Sequence, residues 1–268
     1  MGGVRRVSRM DLRLKGKVAV VTGGSRGIGL YIARALGAEG ARLALCARNR
    51  DPLEAAAESL RADGVADVLT VASDIAEEDG AGQLIQAAVD RYGALDVLVN
   101  NVGGNRRGKF EETSDQDWLD ILQLNVLSGF RASRLAIPHM RAAGGGSIVF
   151  VSSVFGREKG GPGLSIYNTT KTALISAAGI MALELAKDAI RVNCVAPGSI
   201  QFPGGSWDKR VQSDPEGMRK FVDANLPLGR FGRADEVADV VTFLTSERAS
   251  LITGACIAVD GSQGRSLV

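Results

Sequence analysis

Short apolar runs alternate with longer amphipathic stretches along the chain from residue 17 onward. The runs are rich in β-branched residues and apolar at consecutive positions, a pattern typical of strands that are covered on both faces. Strands are predicted at residues 18–22, 42–47, 68–72, 96–100, 147–152, 190–195 and 256–259. Helices are predicted at residues 28–39, 52–63, 77–92, 117–140, 166–187 and 235–245. This alternation indicates an α/β fold with a doubly wound, seven-stranded parallel sheet and helices on both faces.

The chain carries no sign of a second domain. No Pro-, Ser- or Gly-rich linker interrupts the alternation, so residues 16–268 are expected to form a single domain. Residues 1–15 contain four arginines and no apolar core of a secretory signal, and we expect a flexible basic tail in which Met10 is an alternative start to Met1. No apolar run approaches the length of a membrane span. These absences favour a cytoplasmic protein.

The composition limits which partners and which kinds of site the chain can have. The 268 residues are 45% hydrophobic and 23% charged, which is ordinary for a globular protein with a full core. A net charge of +2 without an extended basic block gives no indication of a nucleic-acid partner. The three cysteines lie far apart in apolar runs, so we expect core thiols rather than disulfides. The single histidine, His139, excludes a zinc site of the HExxH type, and no metal is predicted.

A glycine-rich turn connects the first predicted strand to the first helix and reads TGGSRGIG over residues 22–29. Its glycines allow a tight turn and a close approach of the backbone to a pyrophosphate. The helix that follows offers free N–H groups and a favourable dipole at its N-terminus. The position of the turn inside a βαβ unit strengthens this interpretation. The residues expected to bind a dinucleotide here are Gly23, Ser25, Arg26, Gly27, Ile28 and Gly29.

The end of the second strand indicates which dinucleotide fits. NAD-specific proteins usually place an acidic residue there to hold the ribose hydroxyls, but this strand ends in Cys46-Ala47-Arg48-Asn49. A guanidinium binds a 2′-phosphate through two parallel hydrogen bonds, and Arg26 can approach the same phosphate. Arg48 with Arg26 therefore favours NADP(H) over NAD(H). The alternative is that Arg48 is a solvated surface charge and that NAD(H) is accepted.

A second group of residues suits proton transfer. Tyr167 and Lys171 are four residues apart in a predicted helix and therefore share one face. A nearby ammonium is expected to lower the pKa of the phenol. Ser153 lies where the fifth strand ends, at the edge of the sheet that lines the ligand crevice. Asn125 interrupts an apolar helix, where an amide needs hydrogen-bond partners; a helix kink or a cross-helix bond is the structural alternative.

Together these motifs resemble the short-chain dehydrogenase/reductase superfamily, in its single-domain branch with a Rossmann-type fold. The resemblance covers residues 17–261 and rests on the GxxxGxG turn, the NNVGG element at residues 100–104, the SSxxG element at residues 152–156 and the YxxxK pair. It implies that Ser153 binds the substrate oxygen while Tyr167 transfers the proton. It further implies that Lys171 holds the ribose and that Asn125 holds a water linking the lysine to solvent. Ser152 is a minor alternative to Ser153.

The resemblance also implies further cofactor contacts. Asp74 and Ile75 are expected around the adenine, although Asp74 could instead cap the next helix. The remaining contacts are expected from Asn49, Asn100, Asn101, Gly103, Tyr167, Lys171, Pro197, Gly198 and Ile200.

The chain departs from the family pattern at three places. Val102 replaces the usual alanine, and the interval from Ser153 to Tyr167 is one residue longer, the extra residue falling in the 160–163 loop. After Ile200, residues 201–205 replace the usual threonine region, which puts cofactor contacts there in doubt.

The resemblance implies an NADP(H)-dependent oxidoreductase that acts on a small carbonyl or alcohol substrate. A 3-oxoacyl-[acyl-carrier-protein] reductase is the second hypothesis, because Arg106, Arg107, Lys109 and Arg131 could meet an acidic carrier protein. A non-catalytic cofactor-sensing regulator is less consistent with the retained tyrosine and lysine. An epimerase or dehydratase would normally have a longer C-terminal substrate region. Residues 202–225 are expected to form a mobile flap over the substrate pocket.

The helix that contains Tyr167 predicts self-association. Residues 172–183 include no charged side chain, so this helix has no ordinary polar face to present to water. One side can pack on the sheet and the other on a second subunit. We therefore expect a homo-oligomer, either a dimer or a tetramer.

Overall fold

Seven strands lie side by side in one parallel sheet, in the order β3-β2-β1-β4-β5-β6-β9. The computed structural model describes residues 10–267. Along this part of the chain the strands are β1 (Val18–Thr22), β2 (Arg42–Ala47), β3 (Val68–Ala72), β4 (Val97–Asn100), β5 (Gly146–Val151), β6 (Ile190–Pro197), β7 (Ile200–Gln201), β8 (Gly232–Arg233) and β9 (Cys256–Val259). The short strands β7 and β8 pair with each other outside the main sheet.

Helices cover both faces of the sheet. They are α1 (Gly27–Ala38), α2 (Arg50–Ala62), α3 (Gly80–Tyr92), α4 (Asp115–Leu122), α5 (Ser128–Ala142), α6 (Ser165–Leu185), α7 (Ser206–Ser213), α8 (Pro215–Asn225) and α9 (Ala234–Thr245). One apolar cluster packs α1, α2 and α9 against the sheet, and the other packs α3, α5 and α6 against its opposite face. The prediction of a doubly wound single domain is confirmed.

The strands are apolar at consecutive positions because neighbouring residues enter different clusters. Val20 belongs to the α3–α5–α6 side and Val21 to the α1–α2–α9 side. Both are fully buried. A strand with one solvated face would instead alternate apolar and polar residues. All seven predicted strands overlap the observed ones, and this double burial accounts for the five inner strands β1, β2, β4, β5 and β6.

The predicted helix at residues 117–140 is divided. It consists of α4, a π-helical turn (Gln123–Leu127) and α5. A π-helical turn inserts an extra residue into the helical ladder and is frequent at functional sites. The periodicity of the sequence does not predict this turn, because the apolar face continues through it.

The segment predicted as a mobile flap contains two helices, α7 and α8. The rings of Trp207 and Phe221 stack with their centroids 4.9 Å apart. Phe231 adds a third ring, with its centroid 5.2 Å from that of Trp207. Aromatic contacts of this kind join the two helices and the loop before β8. We refer to residues 202–225 as the flap below.

The prediction of a flexible tail at residues 1–15 is wrong for the C-terminal end of that segment. Leu14 is buried in the core, and Arg13 forms an ion pair with Glu247. Residues 1–9 of the predicted tail lie outside the described residues. Cys46 and Cys194 are buried free thiols, as expected for core residues, and Cys256 is half-buried. Over residues 10–267 no helix has the length and apolarity of a membrane span, and no cluster of potential metal ligands occurs.

Candidate active site

The glycine turn is shaped for close contact with a phosphate group. Gly27 has a φ of +56°, a left-handed conformation that favours glycine. A Cβ atom at Gly29 would lie 2.3 Å from the carbonyl oxygen of Gly23. No side chain caps the N-terminus of α1 within the described chain. The first N–H groups of α1 are thus available to an anion, and this fits the pyrophosphate of a dinucleotide.

Side chains at the end of β4 fix this turn. The amide of Asn101 donates to the carbonyl oxygen of Thr22 at 3.0 Å, and its backbone N–H donates to the Thr22 hydroxyl at 2.9 Å. Asn100 donates to Ser133 at 3.1 Å, while its buried side-chain oxygen has no partner in the part of the chain that is described. The Asn101 amide thus ties the end of β4 to the end of β1.

The predicted phosphate-binding arginines lie near one another. The backbone N–H of Gly24 donates to the carbonyl oxygen of Cys46 at 3.0 Å, which holds the end of β2 beside the glycine turn. Arg26 lies in the turn, and Arg48 and Asn49 follow β2; all three are exposed. Neither guanidinium pairs with a carboxylate among residues 10–267. Both are free to bind an anion.

Asp74 and Ile75 follow β3, where the adenine contacts were predicted. Asp74 accepts a hydrogen bond from the backbone N–H of Ala76 at 3.0 Å, and Ile75 is buried. The alternative role of Asp74 as a helix cap is wrong, because α3 begins only at Gly80. One carboxylate oxygen of Asp74 forms the turn, and the other has no hydrogen-bond partner among residues 10–267.

Ser153 and Tyr167 meet at the end of β5. Ser153 follows the strand, and Tyr167 lies in the first turn of α6. Burial raises the pKa of Tyr167, and a hydrogen bond with Ser153 lowers it by less. Ser152 instead donates to the backbone carbonyl of Lys171 at 2.8 Å, so its hydroxyl anchors α6. The geometry therefore favours Ser153 over Ser152 as the partner of the phenol.

Lys171 lies one helical turn after Tyr167 and is only 4% exposed. Its Nζ donates to the carbonyl oxygen of Val151 at 2.8 Å and lies 5.8 Å from the centre of the Tyr167 ring. Burial lowers the pKa of Lys171 to about 8. Burial therefore makes the pKa of Tyr167 higher than usual, whereas the sequence predicted a lowered pKa beside the ammonium.

Asn125 lies in the π-helical turn and uses its amide fully. Its side-chain nitrogen donates to the carbonyl of Gly104 and to the hydroxyl of Thr170, each at 2.9 Å, and its oxygen accepts from the Gly104 N–H at 2.7 Å. The two structural alternatives, a distorted helix and a cross-helix bond, both occur. A Cβ atom at Gly103 would lie 3.0 Å from Lys171 Nζ and 3.3 Å from Asn125 Oδ1. Glycine at this position lets the lysine and the asparagine converge.

The Pro-Gly turn lies at the end of β6, as predicted. Pro197 ends the strand, and the N–H of Gly198 donates to the carbonyl of Val259 at 3.1 Å. Ile200 is buried and pairs with Gly232 in the β7–β8 ladder. We refer to residues 197–200 as the nicotinamide turn, after the role that the sequence resemblance implies.

Two residues near the site were not predicted from the sequence. The Phe202 ring contacts the glycine turn, and Gln263 hydrogen-bonds to Ser199. The one sequence signal for Phe202 was that residues 201–205 depart from the family pattern after Ile200. For Gln263 the sequence offers no signal, because the contact joins segments far apart in an irregular part of the chain.

Several known proteins are similar to this chain in sequence and in structure. A family model described as enoyl-(acyl carrier protein) reductase matches residues 23–262. Dehydrogenase/reductase SDR family member 4 of Caenorhabditis elegans is 38% identical over 93% of this chain and 95% of its own. The 3-oxoacyl-[acyl-carrier-protein] reductase of Thermotoga maritima is 36% identical over 93% of this chain and 98% of its own.

A solved structure agrees with these relationships. The L-sorbose reductase of Gluconobacter frateurii, crystallised with NADPH and L-sorbose, superimposes with a TM-score of 0.91 and is 37% identical. The match covers 96% of this chain and 100% of that one. Both the sequence relatives and the structural neighbour extend over nearly the whole chain, including the Ser153, Tyr167 and Lys171 region. The protein belongs to the short-chain dehydrogenase/reductase family.

Proposed function

We propose that this protein is an NADP(H)-dependent oxidoreductase that interconverts a ketone and a secondary alcohol. The observation that carries the proposal is the convergence of Lys171 and Asn125 at Gly103, with the Lys171 Nζ 5.8 Å from the centre of the Tyr167 ring. Ser153 lies beside the same phenol, just after β5. These four side chains come from α6, the π-helical turn and the end of β5, and they meet at the carboxyl ends of the parallel strands, where ligands bind in open α/β sheets.

The cofactor is assigned from the free anion-binding groups of the chain. The glycine turn and the N-terminus of α1 receive the pyrophosphate, and Arg26 with Arg48 bind the 2′-phosphate. The NADPH bound to the related L-sorbose reductase supports this assignment. NADP(H) held by these residues would supply the hydride for reduction or accept it in oxidation.

Tyr167 transfers the proton in this mechanism. During reduction, Ser153 donates a hydrogen bond to the carbonyl oxygen and Tyr167 gives it a proton. The Lys171 cation then stabilises the phenolate that remains. Asn125 keeps Gly104 and Thr170 in place beside the lysine and leaves a path for its reprotonation. During alcohol oxidation the same groups act in reverse.

The assay is NADPH oxidation against a panel of ketones, β-ketoacyl thioesters and keto sugars, including L-sorbose. Turnover of at least one ketone is expected in the wild type. Tyr167→Phe keeps the ring and removes the proton, so kcat is expected to fall by roughly 100-fold or more while NADPH still binds. Unchanged turnover in this variant would contradict the mechanism.

Reduction of a carrier-bound 3-oxoacyl group is the second candidate, and its support is the 36% identity to the Thermotoga maritima reductase. The basic residues proposed to meet a carrier protein are largely engaged within the chain. Arg106 pairs with Asp117, Lys109 pairs with Glu112, and Arg131 donates to the carbonyl of Ala76. Arg107 is the remaining member of that group. We therefore rank a free small-molecule substrate first, and the affinity for acyl carrier protein tests the ranking.

A further inference from the structure

The last described residues of the chain touch both sides of the candidate active site. Residues 260–266, here called the C-terminal clasp, follow β9 and contact the nicotinamide turn. They also contact the loop after Ser153 through Glu158. Its hydrogen bonds indicate a positioning function.

Gln263 holds the nicotinamide turn through both ends of its amide. Its side-chain oxygen accepts from the backbone N–H of Ser199 at 2.7 Å. Its side-chain nitrogen donates to the Ser199 hydroxyl at 3.0 Å. Ser199 is 6% exposed, so water cannot readily replace these bonds. The position of the backbone that leads into Ile200 therefore depends on Gln263.

The clasp is closed by its own hydrogen bonds and fits closely against the turn. The carboxylate of Asp260 accepts from the N–H groups of Ser262 at 3.0 Å and Gly264 at 2.8 Å, which closes the segment on itself. A Cβ atom at Gly198 would lie 2.6 Å from Gln263 Oε1 and 2.8 Å from the Cβ of Asp260. Glycine in the Pro-Gly turn is thus required for contact with the clasp.

The other end of the clasp reaches the tyrosine side of the site. The backbone N–H of Arg265 donates to the carboxylate of Glu158. The carbonyl oxygen of Glu158 accepts from the Asn168 amide at 2.7 Å, and the same amide donates to the carbonyl of Phe155 at 2.6 Å. Asn168 follows Tyr167 in α6. A continuous series of hydrogen bonds therefore joins the nicotinamide turn to the helix that carries the phenol.

We propose that the C-terminal clasp sets the position of the nicotinamide turn relative to Tyr167, with Gln263 as the principal positioning residue. The inference deepens the proposed function and rests on it. Because the hydrogen bonds of the clasp reach the nicotinamide turn and the loop after Ser153 but not the glycine turn, we expect it to affect a complete cofactor and not a fragment that lacks the nicotinamide. The glycine turn and the two arginines hold such a fragment without help from the clasp.

The test compares two ligands, NADPH and 2′-phospho-ADP-ribose, by calorimetric titration of the full chain. Gln263→Leu removes both hydrogen bonds and leaves the Ser199 N–H without an acceptor. We expect NADPH affinity to fall about tenfold, as the loss of hydrogen bonding to a buried group predicts, with no change for 2′-phospho-ADP-ribose. Gln263→Glu keeps an acceptor for the N–H and should lose less affinity than the leucine variant. Gln86→Leu makes the same chemical change on the exposed surface of α3 and is the matched control.

The outcomes separate this inference from the proposed function. If the wild type binds neither ligand, the proposed function fails. If the wild type binds both and Gln263→Leu binds NADPH normally, or loses both ligands equally, the clasp does not position the nicotinamide end. Should Gln263→Leu fail to fold, the comparison of Glu158→Ala with Glu158→Gln tests the proposal instead. The glutamine keeps an acceptor for the Arg265 N–H, so only the alanine variant should lose NADPH affinity selectively.

Discussion

The edge of the Phe202 ring packs against the position that a Cβ atom would occupy at residue 27, which is glycine. A Cβ built on Gly27 would be 2.8 Å from both Cε2 and Cζ of that ring. Phe202 precedes α7, so the flap rests directly on the glycine turn. The same ring lies 2.8 Å from the Cβ position of Gly205. An aromatic side chain between two glycines thus joins the substrate side of the protein to the phosphate side.

Gly27→Ala should destabilise the protein through two separate effects. The left-handed φ of +56° costs a residue with a Cβ atom about 1 kcal/mol, and displacement of the Phe202 ring adds about 1–3 kcal/mol. Phe202→Ala removes the ring and with it the second effect. We expect the double variant to be at least about 1 kcal/mol more stable than the sum of the single changes predicts. Urea denaturation of the four proteins measures this coupling, and strict additivity would refute the contact.

Arg48→Asp should change the preference for the dinucleotide. The substitution replaces a donor to the 2′-phosphate with a like charge, so we expect the Kd for NADPH to rise roughly 10- to 100-fold. NADH lacks this phosphate and is the internal control, with an unchanged or improved Kd. Fluorescence titration with both dinucleotides provides the measurement. An equal loss for both would place Arg48 outside the phosphate site.

The buried lysine should make stability depend on pH in a defined direction. The pKa of Lys171 is about 8 in the folded chain, below the ordinary value of 10.5. Between these values the unfolded chain binds a proton that the folded chain does not, so the free energy of unfolding rises with pH. Below about pH 8 both states are protonated, and the cost of burying the cation is fully present.

Lys171→Met isolates this effect. The stability of the wild type relative to the methionine variant should increase by about 1 kcal/mol per pH unit between about pH 8 and pH 9.5. Taking the difference removes the contribution of the cysteines, which are the same in both proteins. Urea denaturation at several pH values checks the slope. A flat or falling difference would show that Lys171 is not desolvated as the structure has it.

The uncharged face of α6 should mediate self-association. Ile180 is 54% exposed and Leu183 is 76% exposed within a single chain, although both are large and apolar. We propose that a second copy covers them, and sedimentation velocity should therefore detect a dimer or tetramer. Leu183→Glu places a charge on this face and should shift the protein toward monomer with its circular dichroism retained. A monomeric wild type would exclude this face as a stable interface.

Part of the fold can be read directly from local sequence. β1, β2, β3 and β9 have the predicted bounds, because each is a short run rich in apolar residues between polar or glycine-containing segments. The Gly27 turn is likewise local, since left-handed backbone and close approach both require glycine within a few residues. The sequence also predicted that Tyr167 and Lys171 share a helix face, because this follows from helical geometry alone.

Other features depend on contacts between distant segments. The direction of the Lys171 ammonium toward Val151, and the resulting pKa values, follow from burial in the assembled fold. The π-helical turn at Asn125 is stabilised by Gly104 and Thr170, which come from other elements. No periodicity in the chain encodes such partners.

The amino-acid sequence by itself determined the alternation of strands and helices, the glycine turn and the shared helix face of Tyr167 and Lys171. Each of these depends on residues that are close along the chain. Only the tertiary structure decided that Phe202 covers Gly27 and that Gln263 holds Ser199. These pairs form because the packing of the sheet and its helices brings distant segments within hydrogen-bond or van der Waals distance, and a one-dimensional pattern contains no such distances.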